Sequence, residues 1–198
     1  MKIFWAIFVC VVLNSAFSGC SSPEFFANGW KDTSLVPLYP EKIFISSNFK
    51  NKELRINTEN SALKKLSSLN LNCNSSFSQY GFEKRITEKL IFQSLEENQN
   101  SAFLVISFEG MNLKCVTKSG KIYQKFEKKL VDFNSYKDAE EIDRIVIFDV
   151  TLYVSGFPSS VWVYTIKIEN CFDNLEIIDL LADAILNSLQ KDKIFLEK

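Results

Sequence analysis

The sequence predicts an α+β fold, a two-layer sandwich in which helices pack on one face of a mainly antiparallel sheet. Two stretches, Arg144–Ser155 and Val161–Glu169, alternate apolar and polar residues, as strands with one buried face do. Phe82–Asn98 and Asn174–Gln190 instead place apolar residues at helical spacing. Strands that follow one another across short turns pair antiparallel, so the helices are expected to cover the resulting sheet.

The first half of the predicted domain mixes short strands with helices. Lys42–Asn48 predicts a first strand and Leu54–Asn57 a short second one. Three leucines at helical spacing predict a helix over Ser61–Leu71, and the apolar stripe of Phe82–Asn98 predicts a stronger one. Ala102–Phe108 is a continuous apolar run, which is typical of a central strand buried on both faces.

The second half predicts a meander and a closing helix. Leu113–Thr117 and Ile122–Phe126 alternate on either side of the turn residues Ser119 and Gly120, which indicates a hairpin. The two long alternating strands follow, joined by a turn rich in Gly, Pro and Ser. Asp173 is the expected N-cap of the closing helix, with Glu176 three residues further on, as in a capping box.

The N-terminal segment has the three parts of an export signal. Lys2 supplies a positive charge, Ile3–Leu13 is an unbroken apolar run, and small and polar residues follow. A membrane-spanning helix is the main alternative. The run has 11 residues, which at ~1.5 Å per residue cover about 16 Å of a bilayer core roughly 30 Å thick. It is too short to span, so residues 1–19 are predicted to be a signal peptide.

The end of this segment, Phe17-Ser18-Gly19-Cys20, resembles the lipobox of bacterial lipoproteins. The usual form has Leu, then Ala or Ser, then Gly or Ala, then Cys; Phe17 stands in place of the commoner Leu. The resemblance implies that the thiol of Cys20 receives a diacylglyceryl group. It also implies cleavage between Gly19 and Cys20, which makes Cys20 the first residue of the mature chain. A plain secretory signal cut near Ala16 or Gly19 is the alternative.

The resemblance further implies a location. Two or three acyl chains hold a protein stably at a membrane, because each buried methylene contributes ~0.8 kcal/mol. In the enterobacterial sorting pattern, an Asp after the lipidated Cys retains the protein in the inner membrane. Ser21 stands there instead, which favours the outer membrane, with the domain facing the periplasm. Residues 20–40 lack periodicity and contain three of the four prolines, so they are predicted to be a tether to a single domain over 41–198.

Charge and cysteine content limit the partners and the covalent framework. Loss of Lys2 with the signal lowers the basic count from 23 to 22, against 24 acidic side chains. No basic excess remains to neutralise a nucleic-acid backbone. Once the signal and the lipidated residue are set aside, Cys73, Cys115 and Cys171 remain and allow one disulfide at most. Cys73–Cys171 is the favoured pairing, because both residues lie in polar segments before helices; three reduced thiols are the alternative.

The available residue types exclude several catalytic classes. The chain has no histidine, which removes His-based triads, His-ligated zinc and a His general base. The acidic cluster of Glu140, Glu141 and Asp143 is interpreted as a solvated loop. Asp149 interrupts an apolar strand on the face opposite Phe148. It is an ordinary outward residue if that face is uncovered and a candidate acid if helices cover it. We predict no catalytic residue, no metal site and no cofactor.

Trp162 and Tyr164 are the candidate contact residues, since they lie close to the turn at Gly156–Ser160. Together they would form an aromatic surface for a partner. Aromatic residues at strand period are more often cross-strand or core packing, and that reading stays open.

These features favour a non-catalytic envelope lipoprotein, an interaction or accessory subunit held at the membrane by Cys20 beside an envelope protein partner. The mature domain is similar in pattern to small periplasmic α+β lipoprotein domains. These include the auxiliary lipoproteins of ABC transport systems and a widespread uncharacterised family, and the shared feature is a strand like that at Val161-Trp162 before a C-terminal helix. A carrier of a small apolar ligand or lipid, held between helices and sheet, is the alternative. A hydrolase that uses carboxylates alone is the third possibility.

Overall fold

The computed structural model describes residues 24–34, 37–117, 119–130, 139–171 and 173–195. The predictions for the signal peptide, Gly19 and Cys20 therefore lie outside the described residues. In chain order the elements are β1 (Glu24–Lys31), β2 (Lys42–Ser47), α1 (Lys52–Ser67), β3 (Cys73–Ser75), α2 (Ser76–Tyr80), α3 (Glu88–Glu97), β4 (Ser101–Thr117), β5 (Ile122–Glu127), β6 (Ala139–Val154), β7 (Trp162–Glu169) and α4 (Asn174–Lys191). Within these ranges no helix is long and apolar enough to cross a membrane.

The sheet confirms the predicted α+β class and its mainly antiparallel character. Its strands run in the order β1-β7-β6-β4-β2-β3, and β5 pairs with the second half of β4. The pairs β1–β7, β7–β6, β6–β4 and β4–β5 are antiparallel. Only β2 pairs parallel to its neighbours, β3 and β4. The chain returns through a helix between β2 and each parallel partner, as parallel pairing requires.

Two long helices, α1 and α4, cover one face of the sheet. Alternate side chains of the central strands point into this layer and are almost fully buried, among them Ile45, Leu104, Phe148 and Ile166. The two helices also contact each other, through Ser61 to Asp179 and Lys65 to Asp183. This layer is the main hydrophobic core.

A shorter helix, α3, packs on the opposite face, which the expectation of helices on a single face did not include. Its Ile91 and Leu95 bury Phe44 of β2 and Phe103 of β4 in a second, smaller core. The reason is the continuous apolar run at the start of β4, which carries large side chains on both faces. A strand of that kind needs cover on each side, so α3 is held there.

The tether predicted over residues 20–40 is not all linker, because it contains β1. This strand pairs along its whole length with β7, from Glu24 opposite Glu169 to Lys31 opposite Trp162. Phe25 and Ala27 pack against the main core. The domain therefore begins at least as early as Glu24. The sequence of β1 is short and alternates only weakly, so it did not predict a strand. Backbone hydrogen bonds to β7 hold it in the sheet.

The predicted strand at Leu54–Asn57 is wrong, because these residues lie in α1. The helix begins after Asn51, whose side chain accepts a hydrogen bond from the backbone N–H of Leu54. Arg55, Thr58 and Glu59 occupy its buried face. Because the buried positions in the first turns of α1 are polar, this part of the helix has no hydrophobic stripe. The sequence therefore predicted a helix only over the leucines that follow.

The closing helix agrees with its prediction. Asp173 caps it, accepting from the backbone N–H groups of Leu175 at 2.6 Å and Glu176 at 3.1 Å. The Glu176 carboxylate does not complete the capping box in the usual way. It accepts a hydrogen bond from the thiol of Cys171 at 3.2 Å.

The favoured Cys73–Cys171 disulfide is not formed, and Cys73, Cys115 and Cys171 are all free. Cys73 lies in β3 and Cys171 follows β7. Four strand spacings of ~4.8 Å separate these strands, about 19 Å, whereas a disulfide needs Cα atoms within about 7 Å. Burial raises the pKa of Cys171 to about 12 and that of Cys73 to about 11. Both are therefore protonated, weakly reactive thiols at neutral pH.

Candidate interaction surface

On the sheet face opposite α1 and α4, no helix of the described residues covers β1, β7, most of β6 or the second half of β4. We call this uncovered surface the open face. The helix α3 reaches the end of β6, where the ring of Phe92 packs edge-on against Tyr153. The strand register defines its rows: Trp30 lies beside Val163, then Thr151. A second row joins Phe26 to Lys167. All these side chains are exposed or half-buried, in contrast to the buried residues that alternate with them.

Two aromatic side chains stand on the edge of this face at β1. Phe26 is 54% exposed and Trp30 is 56% exposed, with Asn28 between them on the same face. With Val163, Thr165 and Lys167 of β7 they line an open groove of about 720 Å³. We call it the β1 groove. It combines apolar ring surface with one amine, one hydroxyl group and one side-chain amide.

Gly29 allows β1 to approach β7 closely at this groove. A Cβ atom at Gly29 would lie 2.1 Å from the carbonyl oxygen of Val163 and 2.2 Å from the ring of Tyr164. The ring of Tyr164 thus lies directly against the backbone of β1. Glycine here keeps the edge strand seated on β7, and so fixes where Phe26 and Trp30 stand.

The opposite end of the open face carries a second groove of about 400 Å³, the β5 groove. Phe126, 50% exposed, lies in its wall, and its ring covers Gly110, where a Cβ atom would come within 2.1 Å of the ring. One side of the ring is therefore packed and the other faces solvent. Lys114 and Asp143, an ion pair at 3.6 Å, also line this groove.

The acidic cluster lies in a strand and not in the expected loop, although Asp143 is exposed to solvent as predicted. Glu140, Glu141 and Asp143 fall within β6, which begins at Ala139. Asp149 also lies in β6, half-buried on the open face, where it accepts a hydrogen bond from the hydroxyl of Thr165 at 2.6 Å. Because no described helix covers this part of the face, Asp149 fits the reading of an outward residue. Its hydrogen bond ties β6 to β7 between the two grooves.

Trp162 and Tyr164, predicted as a contact surface, are buried, so they do not form one. They face α4, and their rings stack at a centroid distance of 4.5 Å. The indole N–H of Trp162 donates to Asp192 at 2.9 Å. Burial, reinforced by Asp192, raises the pKa of Tyr164 to about 12. Their strand period placed them on the same side as Ile166, which is the core side.

The exposed aromatic residues of the open face were missed or underweighted because single residues on a strand do not reveal which face is covered. Phe26 and Trp30 fell within the predicted tether over residues 20–40. Phe126 was read as one member of an alternating strand. The useful signal was the alternation along the strand. Phe25 and Ala27 pack on the core, so Phe26, Asn28 and Trp30 point to the opposite face.

A buried polar cluster is the other notable group of side chains. Arg55 and Glu59 of α1 form a buried ion pair at 2.9 Å, joined by the hydroxyl of Ser76. Apart from Arg55 in its own helix, Glu59 bonds to neighbouring elements, and it has no exposed surface. The cluster is therefore a structural link and not an accessible site. Among the described residues, no group of three or more Cys, Asp or Glu side chains is placed to hold a metal ion.

The fold and surface define an α+β domain with a helix-covered core face and an open, aromatic sheet face. No protein-family model matches the sequence, and no curated protein matches it significantly. Among solved structures, the chain is similar to the PelC dodecamer from Paraburkholderia phytofirmans, with 12% identity and a TM-score of 0.49. That likeness covers 84% of this chain and 98% of the other. A variant of the same dodecamer in another crystal form gives 12% identity and a TM-score of 0.46, covering 85% and 99%.

Proposed function

We propose that this chain is a lipid-anchored envelope protein, held by acyl chains on Cys20 and acting as a non-catalytic interaction or accessory subunit. The lipobox-like sequence Phe17-Ser18-Gly19-Cys20 carries the proposal. It places the anchor four residues before Glu24, the first residue of β1. An anchor that close to a paired strand holds the whole domain at the membrane surface, on the outer membrane and facing the periplasm if Ser21 acts as the sorting residue.

The β5 groove supports the role in protein contact. Exposed apolar rings set among polar groups are typical of an interaction surface. Phe126 lines this groove, and Ile122 and Tyr123 are also exposed on β5, with Tyr123 on the other face of the strand. Among the described strands, β5 pairs only with β4. A strand with one free edge can also accept backbone hydrogen bonds from a partner. A protein partner at this end of the sheet is the interaction we expect.

Replacing Cys20 with serine tests the anchor. In cells given an alkynyl palmitate analogue, we expect Cys20→Ser to lose all label and to move from the membrane to the soluble fraction, because serine lacks the thiol that receives the diacylglyceryl group. Cys73→Ser is the matched control, since Cys73 is a free and partly exposed thiol, and it should keep its label. Label that persists in Cys20→Ser would overturn the proposal.

Site-specific photo-cross-linking in intact cells tests the partner surface. A photoreactive residue at Phe126 should trap one discrete envelope protein, because its ring is half exposed in the β5 groove. The matched position is Asn187, exposed on α4 on the helical side of the domain, and it should trap none. Equal cross-linking from both positions, or none from Phe126, would count against an accessory role through the β5 groove.

A further inference from the structure

We infer that the β1 groove is a membrane-contact surface, at which Phe26 and Trp30 insert their rings into the interface of the bilayer that holds the anchor. The inference rests on the proposed lipidation of Cys20 and names the partner of one end of the open face. The occupant is a phospholipid surface, not a second protein. Two observations carry it: the reach of the chain and the chemistry of the exposed side chains. The twist that sheets generally have explains how the contact leaves the β5 groove accessible.

The reach of the chain brings β1 to the membrane. Three residues, 21–23, separate Cys20 from Glu24. At most ~3.5 Å per residue, the lipidated residue lies within about 14 Å of the start of β1 and about 21 Å of Phe26. Anchoring on so short a linker gives the strand a high effective concentration at the surface, so weak ring contacts are enough to seat it.

The side chains of the groove suit a bilayer interface. Phe26 and Trp30 lie on the same face of one strand, about 13 Å apart at ~3.3 Å per residue. With β1 parallel to the surface, both rings reach the headgroup level together. Trp is enriched at that level because its ring is apolar and its N–H is polar. Lys167 adds an amine, whereas Glu24 and Glu169 stand at the anchor end, so the contact depends on the rings and not on anionic lipid.

The twist of the sheet lets this contact coexist with a protein partner. Four strand steps separate β1 from β5 in the order β1-β7-β6-β4-β5. Adjacent strands rotate by about 20–25°, so the open face at β5 points roughly 80–100° away from the open face at β1. With the β1 groove against lipid, the β5 groove faces sideways into the envelope space and stays accessible.

Depth-dependent tryptophan quenching tests the contact. The mature chain contains only two tryptophans, Trp30 and Trp162, because Trp5 lies in the predicted signal peptide. Trp162 is fully buried and serves as an internal reference. The lipidated full chain is purified from membranes and placed in phosphatidylcholine vesicles with phospholipid brominated near the top of its acyl chains. The Trp30→Phe variant, which leaves Trp162 alone, is the matched control.

We expect the brominated lipid to remove about half or more of the Trp30 emission, taken as the difference between the parent chain and Trp30→Phe. Trp162 should lose little. If the chain carries palmitate label and sediments with the vesicles but Trp30 is not quenched, the membrane-contact inference is overturned and the anchor stands. If the chain carries no label and does not sediment, the proposed function fails, and this inference fails with it.

Discussion

Replacing Glu59 with alanine should lower the free energy of unfolding by about 3–5 kcal/mol, because it leaves a buried guanidinium without its partner. Glu59 has no exposed surface, and Arg55 beside it is also buried. A charge in that position cannot be solvated by water, so the loss of the carboxylate is not compensated. Urea denaturation followed by circular dichroism measures the change, with the slope of the transition checked for two-state behaviour.

Three elements, α1, β2 and α2, meet at this one carboxylate. Glu59 belongs to α1 and accepts hydrogen bonds from the backbone N–H of Ser47, at the end of β2, at 3.0 Å and from that of Phe77, in α2, at 3.1 Å. The hydroxyl of Ser76 donates to it at 2.9 Å, at the junction of β3 and α2. Arg55 completes the set and also donates to the carbonyl of Phe82 at 3.3 Å. Truncation at Glu59 therefore removes the acceptor of two backbone N–H groups and of the Ser76 hydroxyl, and it removes the counter-charge of Arg55.

Asn60→Ala is the matched control for this variant. Asn60 follows Glu59 in the same helix but is exposed, so its truncation should change stability by no more than about 0.5 kcal/mol. The double variant Arg55→Met, Glu59→Leu should recover part of the loss, since replacing both charges removes the unpaired ion but leaves the backbone N–H groups of Ser47 and Phe77 without their acceptor. A loss below about 1 kcal/mol for Glu59→Ala would show that the cluster is not a structural link.

The sequence predicted the parts of the fold whose burial follows a simple period. The long strands β6 and β7 and the helix α4 have one apolar face each, so alternation or helical spacing identified them and Asp173 marked the helix start. The first turns of α1 were lost because Arg55 and Glu59 occupy positions where a hydrophobic residue is usual. The two residues form an i,i+4 pair within the helix, but the partners that bury the pair, Ser47 of β2 and Phe77 of α2, come near only in the assembled fold.

The candidate surface was predicted less well for a related reason. Period two separates the two faces of a strand but does not say which face a helix will cover. For Trp162 the sequence left a contact surface and core packing open, and the residue lies in the core. Trp30 was assigned to a linker and stands on the open face. Both assignments depend on where α4 packs, and α4 is more than ten residues away from either tryptophan in sequence. Only the packing of α4 on the assembled sheet decides which face of each strand is buried.

Replacing Trp162 with alanine should lower the free energy of unfolding by about 3–5 kcal/mol, as truncation of large buried aromatics does. The ring is fully buried between β7 and α4 and stacks on Tyr164. Its N–H donates to Asp192, which caps the end of α4 and also accepts a hydrogen bond from Lys31 of β1. Truncation therefore leaves a cavity and also frees the carboxylate that ties β7 to the helix end. Chemical denaturation at neutral pH measures the loss.

Trp30→Ala provides the matched comparison, with the same residue type and the same atoms removed. More than half of the Trp30 side chain is exposed, so its truncation should change the free energy of unfolding by no more than about 0.5 kcal/mol. The same variant should weaken the contact of β1 with phosphatidylcholine vesicles. The Trp30 side chain would then matter for membrane contact but hardly for stability. Equal destabilisation by the two substitutions would contradict the assignment of one tryptophan to the core and the other to the open face.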